Sequence, residues 1–400
     1  MATNAKKKRQ INPALLARGG MDIPFLCLVL ALLTIGLTMM FSASYTYCYY
    51  NFGDSLYYFK RQFVFAIVGL VAMFVASKFK VEIYKVAATP LLAVSYLLLV
   101  VVLFVTPPSG FEEFHRWITI PGITTFQPSE IAKLAIILYL AMHIGEHYKG
   151  INSSEIMKVG NYRMPVRTYC FLLYVAIVGV ACVLVYLENH VSGTLLIFAL
   201  GLMMMWFAGF DYKIFVIGIV LVVAAAIIVV LNPEILPAHA QPRILAWIDK
   251  DYDPRGVRWQ TNNALYAIGS GGLFGVGLGN SKQKQLYVSE PQNDFIFSIV
   301  CEELGIIGAA IIIILFVLLV WRGFYIAIHT KDKFASLLAM GLSFQVGLQA
   351  SLNIAVVTDV LPNTGISLPF FSYGGTSLMM LLFEMGLILG ISRTANIKRS

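Results

Sequence analysis

Runs of about twenty apolar residues recur from one end of this 400-residue chain to the other, and they limit the possible folds more than any other feature. A transmembrane α-helix needs about twenty consecutive apolar residues to cross a bilayer. The composition agrees, with 58% hydrophobic and only 12% charged residues, whereas soluble domains are about a quarter charged. No polar stretch is long enough for a separate soluble core. We therefore predict an all-α polytopic membrane protein, with residues 1–400 forming a single integral membrane domain.

We predict ten transmembrane helices and a cytoplasmic location for both termini. The spans cover roughly residues 22–43, 62–77, 87–106, 127–145, 168–187, 192–210, 214–231, 294–320, 335–357 and 370–392. Since ten is even, both termini share a side, and 19 of the 29 Lys and Arg residues fall in segments on that side against nine on the other. Cytoplasmic loops carry the excess of Lys and Arg. The chain is thus predicted to lie in the cytoplasmic (inner) membrane as a multi-pass protein, with residues 1–21 as a cytoplasmic tail.

The net charge of +8 does not predict a nucleic-acid partner. The one dense basic run, Lys6–Arg9, precedes the first span, as expected of a cytoplasmic flank. The five cysteines include no CxxC pair, and four of them lie inside apolar spans, which argues against a disulfide framework and a zinc site. We predict no metal site and no evident cofactor, and leave the use of a divalent cation open.

Residues 232–293 form one long extracellular loop in this topology. Loops of this length are usually functional. The loop contains "PRILAWIDKDYDPRGVRWQ", which mixes acids, bases and tryptophans, and then "AIGSGGLFGVGLGNSKQ". These glycines neither follow a strand nor open a helix, which argues against a nucleotide-binding fingerprint. We expect them to let the backbone pack closely or re-enter the membrane edge.

Ionisable residues inside the spans are candidate site residues, because their burial in a membrane is costly. Glu130 and Lys133 are three residues apart and share one helix face. They are either a mutually neutralised pair or a group in which Lys133 meets an anionic ligand in a cavity. His190, at the outer end of the fifth span, is expected to be interfacial and not a metal ligand. Glu302 and Glu303 are expected to anchor the interior by reaching an arginine or backbone amides.

Each of two further segments can be interpreted in two ways, one structural and one functional. Asp294, in "EPQNDFIFSIVCEELG", is either the cap of the next helix or a functional acid at its outer mouth. The segment "NIAVVTDVLPNTGISLPFFSYGGTSL" breaks its helical pattern at prolines and glycines. It forms either an outer turn with a kinked helix or a cavity wall with exposed amides and hydroxyls, among them that of Ser372.

These segments resemble the SEDS family, named for shape, elongation, division and sporulation. Four blocks carry the resemblance: "RWITIPGITTFQPSEIAKLA", "AIGSGGLFGVGLGNSKQ", "EPQNDFIFSIVCEELG" and "NTGISLPFFSYGGTSL". They cover about a fifth of the chain in the family's order, and the ten-span layout extends the match over nearly all of it. The details resemble the FtsW and SpoVE branch more than RodA. At the end of the fifth span the sequence departs from the family, since "ENHVSGT" places His190 near a common aspartate.

The resemblance implies a peptidoglycan glycosyltransferase. Such enzymes polymerise lipid II, the undecaprenyl-pyrophosphate disaccharide pentapeptide, with a class B penicillin-binding protein and other division or sporulation membrane proteins. The family's essential outer aspartate corresponds to Asp294, its "RW" tryptophan to Trp117, and its intramembrane lysine to Lys133.

The implied chemistry needs a base for the acceptor hydroxyl and positive charge for the departing pyrophosphate. Asp294 is the candidate catalytic base. The candidate substrate-binding residues are Arg116, Trp117, Glu130, Lys133, Arg243, Arg258 and Ser372. Glu302 lies about 12 Å along a helix from Asp294, too far for a simple carboxylate pair on one sugar. A lipid II flippase and a non-catalytic scaffold that recruits a transpeptidase are the alternatives.

Overall fold

The computed structural model describes residues 19–106, 115–120, 124–159, 162–236 and 240–397. Within them the helices are α1 (Ile23–Phe52), α2 (Tyr57–Ala76), α3 (Val81–Val102), α4 (Pro128–Ile151), α5 (Val166–Leu187), α6 (Val191–Phe207), α7 (Tyr212–Leu231), α8 (Gln241–Ile248), α9 (Trp259–Ser270), α10 (Ile296–Ile328), α11 (Lys333–Val357) and α12 (Gly375–Ser392). Two antiparallel hairpins pair β1 (Ile118–Ile120) with β2 (Thr124–Phe126), and β3 (Ile156–Val159) with β4 (Tyr162–Pro165).

The all-α polytopic fold is confirmed. Among the described residues, nine helices are long and apolar enough to cross a membrane, and α6, with 17 residues, is a shorter apolar helix. These ten helices follow the ten predicted spans in order. The count of ten crossings and the orientation remain predictions, and the basic run Lys6–Arg9 lies outside the described residues. The two hairpins and the helices α8 and α9 were not predicted.

Capping residues explain where α1 begins and ends and where α11 begins. The Asp22 carboxylate accepts a hydrogen bond from the Phe25 amide at 2.9 Å, and α1 ends at Gly53 with φ 70°, a left-handed value that glycine adopts without strain. Asp332 caps α11 in the same way, through the Ala335 amide at 2.8 Å.

Both ends of the described chain lie at one end of the bundle. The Arg322 guanidinium donates two hydrogen bonds to the Asp22 carboxylate, at 3.0 and 2.8 Å, which ties α10 to the start of α1. Arg393, just after α12, donates to the Gly19 carbonyl at 2.9 Å. Asp294 precedes α10 and therefore lies at the opposite end.

Burial separates central from peripheral helices. In the most apolar 18-residue windows of α4 and α12, 67% of the residues are buried, against 11% in α7. A helix that is apolar all round and exposed in this way is suited to contact lipid. The central helices instead carry polar side chains, and α4 packs against α3, α5, α6 and α11.

The glycine-rich segment 271–277 packs into a break in α10, as the sequence predicted for close backbone approach. At the break, Gly305 has φ 69° and ψ −173°. The Val276 and Gly277 amides donate to the Glu302 and Glu303 carbonyls at 2.9 and 3.1 Å. A Cβ on Gly275 would lie 2.2 Å from the Glu303 carbonyl oxygen, so only glycine allows this approach.

The Glu302 and Glu303 side chains hold residues 281–284, which follow this segment, and this confirms that they are interior anchors. Glu302 accepts a hydrogen bond from the Lys282 backbone amide at 2.9 Å. Glu303 pairs with the Lys284 ammonium at 2.7 Å and accepts from the Ser42 hydroxyl at 2.8 Å. The cation that pairs with Glu303 is thus a lysine from the long loop. The side chains of Glu302, Glu303 and Lys284 are all buried.

Candidate functional site

A cavity of about 350 Å³, lined by both polar and apolar groups, opens among the helix ends opposite the termini. Its wall is formed by the start of α4, the start of α6, the segment before α10 and the non-helical segment between α11 and α12. The candidate residues that line it are Arg116, Trp117, Glu130, Lys133, Asp294 and Ser372. The volume is within the range typical of small-molecule sites. Six of the eight candidate residues therefore converge on one cavity.

Asp294 lines the cavity and lies one residue before the N-cap of α10. The N-cap of α10 is Phe295, and no side chain caps that helix. The Asp294 carbonyl accepts a hydrogen bond from Asn353 Nδ2 at 2.7 Å, which fixes the backbone. A Cβ on Gly365, where φ is +71°, would lie 3.2 Å from Asp294 Oδ2, so glycine at that position keeps the carboxylate uncrowded. This geometry does not support the capping role.

Burial and, after it, the negative charge of Glu290 raise the pKa of Asp294 to about 6, against the opposing charges of Arg243 and Arg116. A base with a pKa near the working pH balances ionised fraction against proton affinity. The environment therefore gives Asp294 a more basic carboxylate than an exposed aspartate has, while leaving most of it ionised at neutral pH.

Two arginines bring positive charge to the carboxylate. Burial lowers the pKa of Arg116 to about 10, with a contribution from the like charge of Arg243, and Asp294 and Glu188 oppose this shift. Burial also lowers the pKa of Arg243, and the charge of Asp294 again opposes it. The Arg116 guanidinium donates to the Asn189 carbonyl, which fixes its position near the start of α6. Glu290 also acts on Asp294, so these two cations face two carboxylates, and the four charges balance before a ligand binds.

Glu130 and Lys133 form an ion pair and also line the cavity, so both of the interpretations offered by their spacing apply in part. The Lys133 ammonium pairs with the Glu130 carboxylate at 2.8 Å and donates to Gln349 Oε1 at 3.2 Å. Both members line the cavity, with side-chain exposures of 6% for Lys133 and 16% for Glu130. The charge of Lys133 is therefore largely balanced before any ligand arrives.

Ser372 organises the cavity wall. Its hydroxyl donates to the Asn293 carbonyl at 2.9 Å and accepts from the Leu368 amide at 2.7 Å. The neighbouring Tyr373 amide donates to the Gln292 carbonyl at 2.8 Å. These bonds join the segment before α12 to the segment that carries Asp294, so Ser372 supports the position of the acid.

The structure does not bring Arg258 to the cavity. Its guanidinium pairs with the Asp359 carboxylate at 2.7 Å and donates to the Ala246 carbonyl. Lys250 pairs with the same carboxylate at 2.8 Å. These bonds fasten the long loop to the end of α11, which is a structural arrangement.

Two groups near the cavity were not identified from sequence as site residues. Glu188 is fully buried at the end of α5, and burial raises its pKa to about 8, against the opposing charge of Arg116. His190 also lines the cavity, and its Nδ1 atom lies 3.4 Å from the Nε2 atom of Gln127. The motif "ENH" contains both residues, but only the structure shows that Glu188 is buried and that His190 lines the cavity.

Comparison with known proteins identifies the family. The model of the FtsW/RodA/SpoVE family, described as cell cycle protein, matches residues 23–397. A protein named probable peptidoglycan glycosyltransferase FtsW from Trichlorobacter lovleyi is 36% identical over 371 residues, which cover 93% of each chain. Stage V sporulation protein E of Bacillus subtilis is 36% identical over 372 residues, covering 93% of this chain and 97% of that protein.

The fold has a solved counterpart. A structure described as "Structural coordination of polymerization and crosslinking by a peptidoglycan synthase complex" matches with a TM-score of 0.73 and 24% identity. The match covers 93% of this chain and 98% of that one. From the family match and the relatives together, this chain belongs to the FtsW/RodA/SpoVE family of cell cycle proteins.

Proposed function

We propose that this chain is a peptidoglycan glycosyltransferase that polymerises lipid II at the outer face of the cytoplasmic membrane, for division or sporulation. The observation that carries the proposal is the placement of Asp294 and Arg116 in one cavity at an end of the helix bundle, with Arg243 close enough for its charge to act on both. This combination offers a base and an anion site together. The names of relatives at 36% identity support the same reaction class.

In the proposed reaction Asp294 accepts the proton of the acceptor's 4-hydroxyl as the oxygen attacks the donor's anomeric carbon. The bond from that carbon to the pyrophosphate oxygen breaks, and its electron pair leaves with undecaprenyl pyrophosphate. Attack opposite the leaving group inverts the α-linked donor to a β-1,4 product. A general base of this kind typically contributes about 10²–10⁴-fold to the rate.

Arg116 and Arg243 are the proposed partners of the pyrophosphate. Guanidinium groups suit phosphate because they donate paired hydrogen bonds and remain charged. Both arginines are half-buried, which strengthens their attraction for a developing negative charge. Lys133 is the secondary candidate, since Glu130 already balances its charge.

We also propose a class B penicillin-binding protein as the partner that cross-links the strands. The fold match to a structure whose description joins polymerization and crosslinking in one synthase complex supports a partnership of this kind. Co-purification from mild detergent tests it. A strictly monomeric polymerase whose rate is unaffected by the partner would count against it.

The reaction is tested with the purified chain and fluorescent lipid II in detergent and in vesicles. Polymerisation produces a ladder of glycan strands on gel electrophoresis. Movement of lipid II across the vesicle membrane without ladders would favour a flippase. If the chain shows neither polymerisation nor transport but still binds its partner, the result would favour a scaffold.

A further inference from the structure

Three side chains that the proposed reaction does not use meet at the end of the bundle far from the cavity. His143 and His147 lie on α4, and Cys170 lies on α5. One ligating atom from each of the three lies within 4.8 Å of the others. They are the one His, Cys and carboxylate cluster with this geometry among the residues that the structure describes.

We propose that His143, His147 and Cys170 form a binding site for a divalent transition metal of the zinc type. Imidazole nitrogen and thiolate sulfur are the ligands that zinc prefers, at about 2.0–2.1 and 2.3 Å. Magnesium and calcium prefer oxygen ligands, so the donor set excludes them. The inference is independent of the proposed glycosyl transfer.

Helix geometry brings the two histidines together. Residues four apart share one helix face, and the rings stack with centroids 4.2 Å apart and planes inclined by 17°. The His147 Nδ1 lies 3.0 Å from the His143 carbonyl oxygen. Since a carbonyl only accepts, Nδ1 carries the proton and leaves the Nε2 lone pair free for a metal.

The His143 ring has a similar orienting partner. Its Nδ1 lies 3.0 Å from the hydroxyl of Tyr174, which is itself fully buried. In the tautomer in which Nδ1 donates to this oxygen, Nε2 is again available. Metal-binding histidines are almost always oriented by a hydrogen bond from the other ring nitrogen. Both rings therefore have the outer contacts that such sites require.

Closing the site needs rotation of the two stacked rings, because their lone pairs lie in nearly parallel planes and do not yet point to one ion. Ligands of a tetrahedral zinc ion are about 3.3–3.8 Å apart when the bond lengths are near 2.0–2.3 Å. The cluster's spread of 4.8 Å is thus about 1.0–1.5 Å wider than this, and side-chain rotation must supply the difference. Binding displaces the thiol proton of Cys170 and leaves one coordination position for water.

The site lies near the end of α4, where its two histidines are half-buried and an ion can reach them. A bound ion there would also affect how the helices are held together. His143 and His147 are half-buried in the last turns of α4, and exposed Glu146 lies between them. This end of the bundle also holds both described termini. A bound ion would join α4 to α5, and α4 carries Glu130 and Lys133 at its other end.

The test is cobalt titration of the purified full chain after treatment with a chelator. Tetrahedral Co²⁺ bound to a thiolate gives a charge-transfer band in the near ultraviolet, and zinc should abolish it by displacing the cobalt. We expect about one cobalt per chain and this band in the wild type. The band should vanish in Cys170→Ser and persist in Cys182→Ser, a control on the same helix.

A second variant keeps the test decisive if Cys170→Ser does not fold. His147→Gln changes a half-buried residue and should weaken zinc binding by at least about tenfold, since even the loss of a residue that only hydrogen-bonds a ligand typically costs about 10–100-fold. The absence of a thiolate band in the wild type, or its persistence in a folded Cys170→Ser, would overturn the proposal. So would unchanged zinc affinity in folded His147→Gln.

Discussion

Replacing Asp294 by asparagine separates a catalytic role from a structural one. The amide keeps the size of the side chain but cannot accept a proton. If Asp294 is the base, its loss should reduce the rate of lipid II polymerisation by about 10²–10⁴-fold. A capping role would predict near-normal activity, because asparagine caps helices about as well as aspartate.

The structure also predicts the effect of this change on stability. Burial raises the pKa of Asp294 from 3.8 to about 6, so the folded chain binds this proton more tightly than the unfolded chain does. As the pH rises from about 4 through 6, ionisation of this group therefore reduces the free energy of unfolding. At neutral pH the cost is about 1–3 kcal/mol, where the lower figure allows for partial access of water. Asp294→Asn removes this cost and should unfold at the same or a higher temperature.

The assay pairs glycan ladders from labelled lipid II with thermal unfolding of the same preparations. Glu290→Gln is the matched control, because it removes a carboxylate from the same segment and should retain glycan synthesis. Near-normal ladders from Asp294→Asn would refute the assignment of the base. A variant that loses both activity and stability would refute the claim that this carboxylate is held at an energetic cost.

Three further predictions concern topology and the interior. In a chain whose native cysteines are replaced, a membrane-impermeant thiol reagent added to intact cells should label Lys282→Cys and not Lys331→Cys; labelling of the second alone would reverse the predicted orientation. Glu303→Gln should lower the free energy of unfolding by about 3–5 kcal/mol, because it leaves the Lys284 ammonium buried without its counter-ion; an unchanged melting temperature would contradict this. Gly275→Ala should destabilise by more than the roughly 1–2 kcal/mol of a left-handed residue alone, since its Cβ would overlap the Glu303 carbonyl; a loss of less than that would show that α10 tolerates a wider break.

The spans and the position of Asp294 at the cavity could be predicted because local sequence determines them. Apolar runs determine where helices cross a membrane, and the resemblance of the segment around Asp294 identified the acid. The pairing of Glu130 with Lys133 also follows from helical spacing. These features depend on residues close together in the chain.

Features that depend on distant partners could not be predicted in this way. Arg258 was assigned to phosphate, but it pairs with Asp359, 101 residues away. The inward side chain of Glu188 depends on how α5 ends against Arg116. The histidine pair on α4 could have been found from its spacing of four, but its approach to Cys170 depends on the packing of α4 against α5. Local periodicity contains no information about these long-range contacts.

The pH dependence of polymerisation tests the central claim most directly. If ionised Asp294 is the base, the rate should fall about tenfold per pH unit below its pKa of about 6. Glu290→Gln should move this midpoint to lower pH, because the charge of Glu290 raises the pKa of Asp294. Arg243→Gln should move it to higher pH, because Arg243 lowers that pKa. A midpoint that stays fixed in both variants, or moves in the same direction in both, would contradict Asp294 as the base of this site.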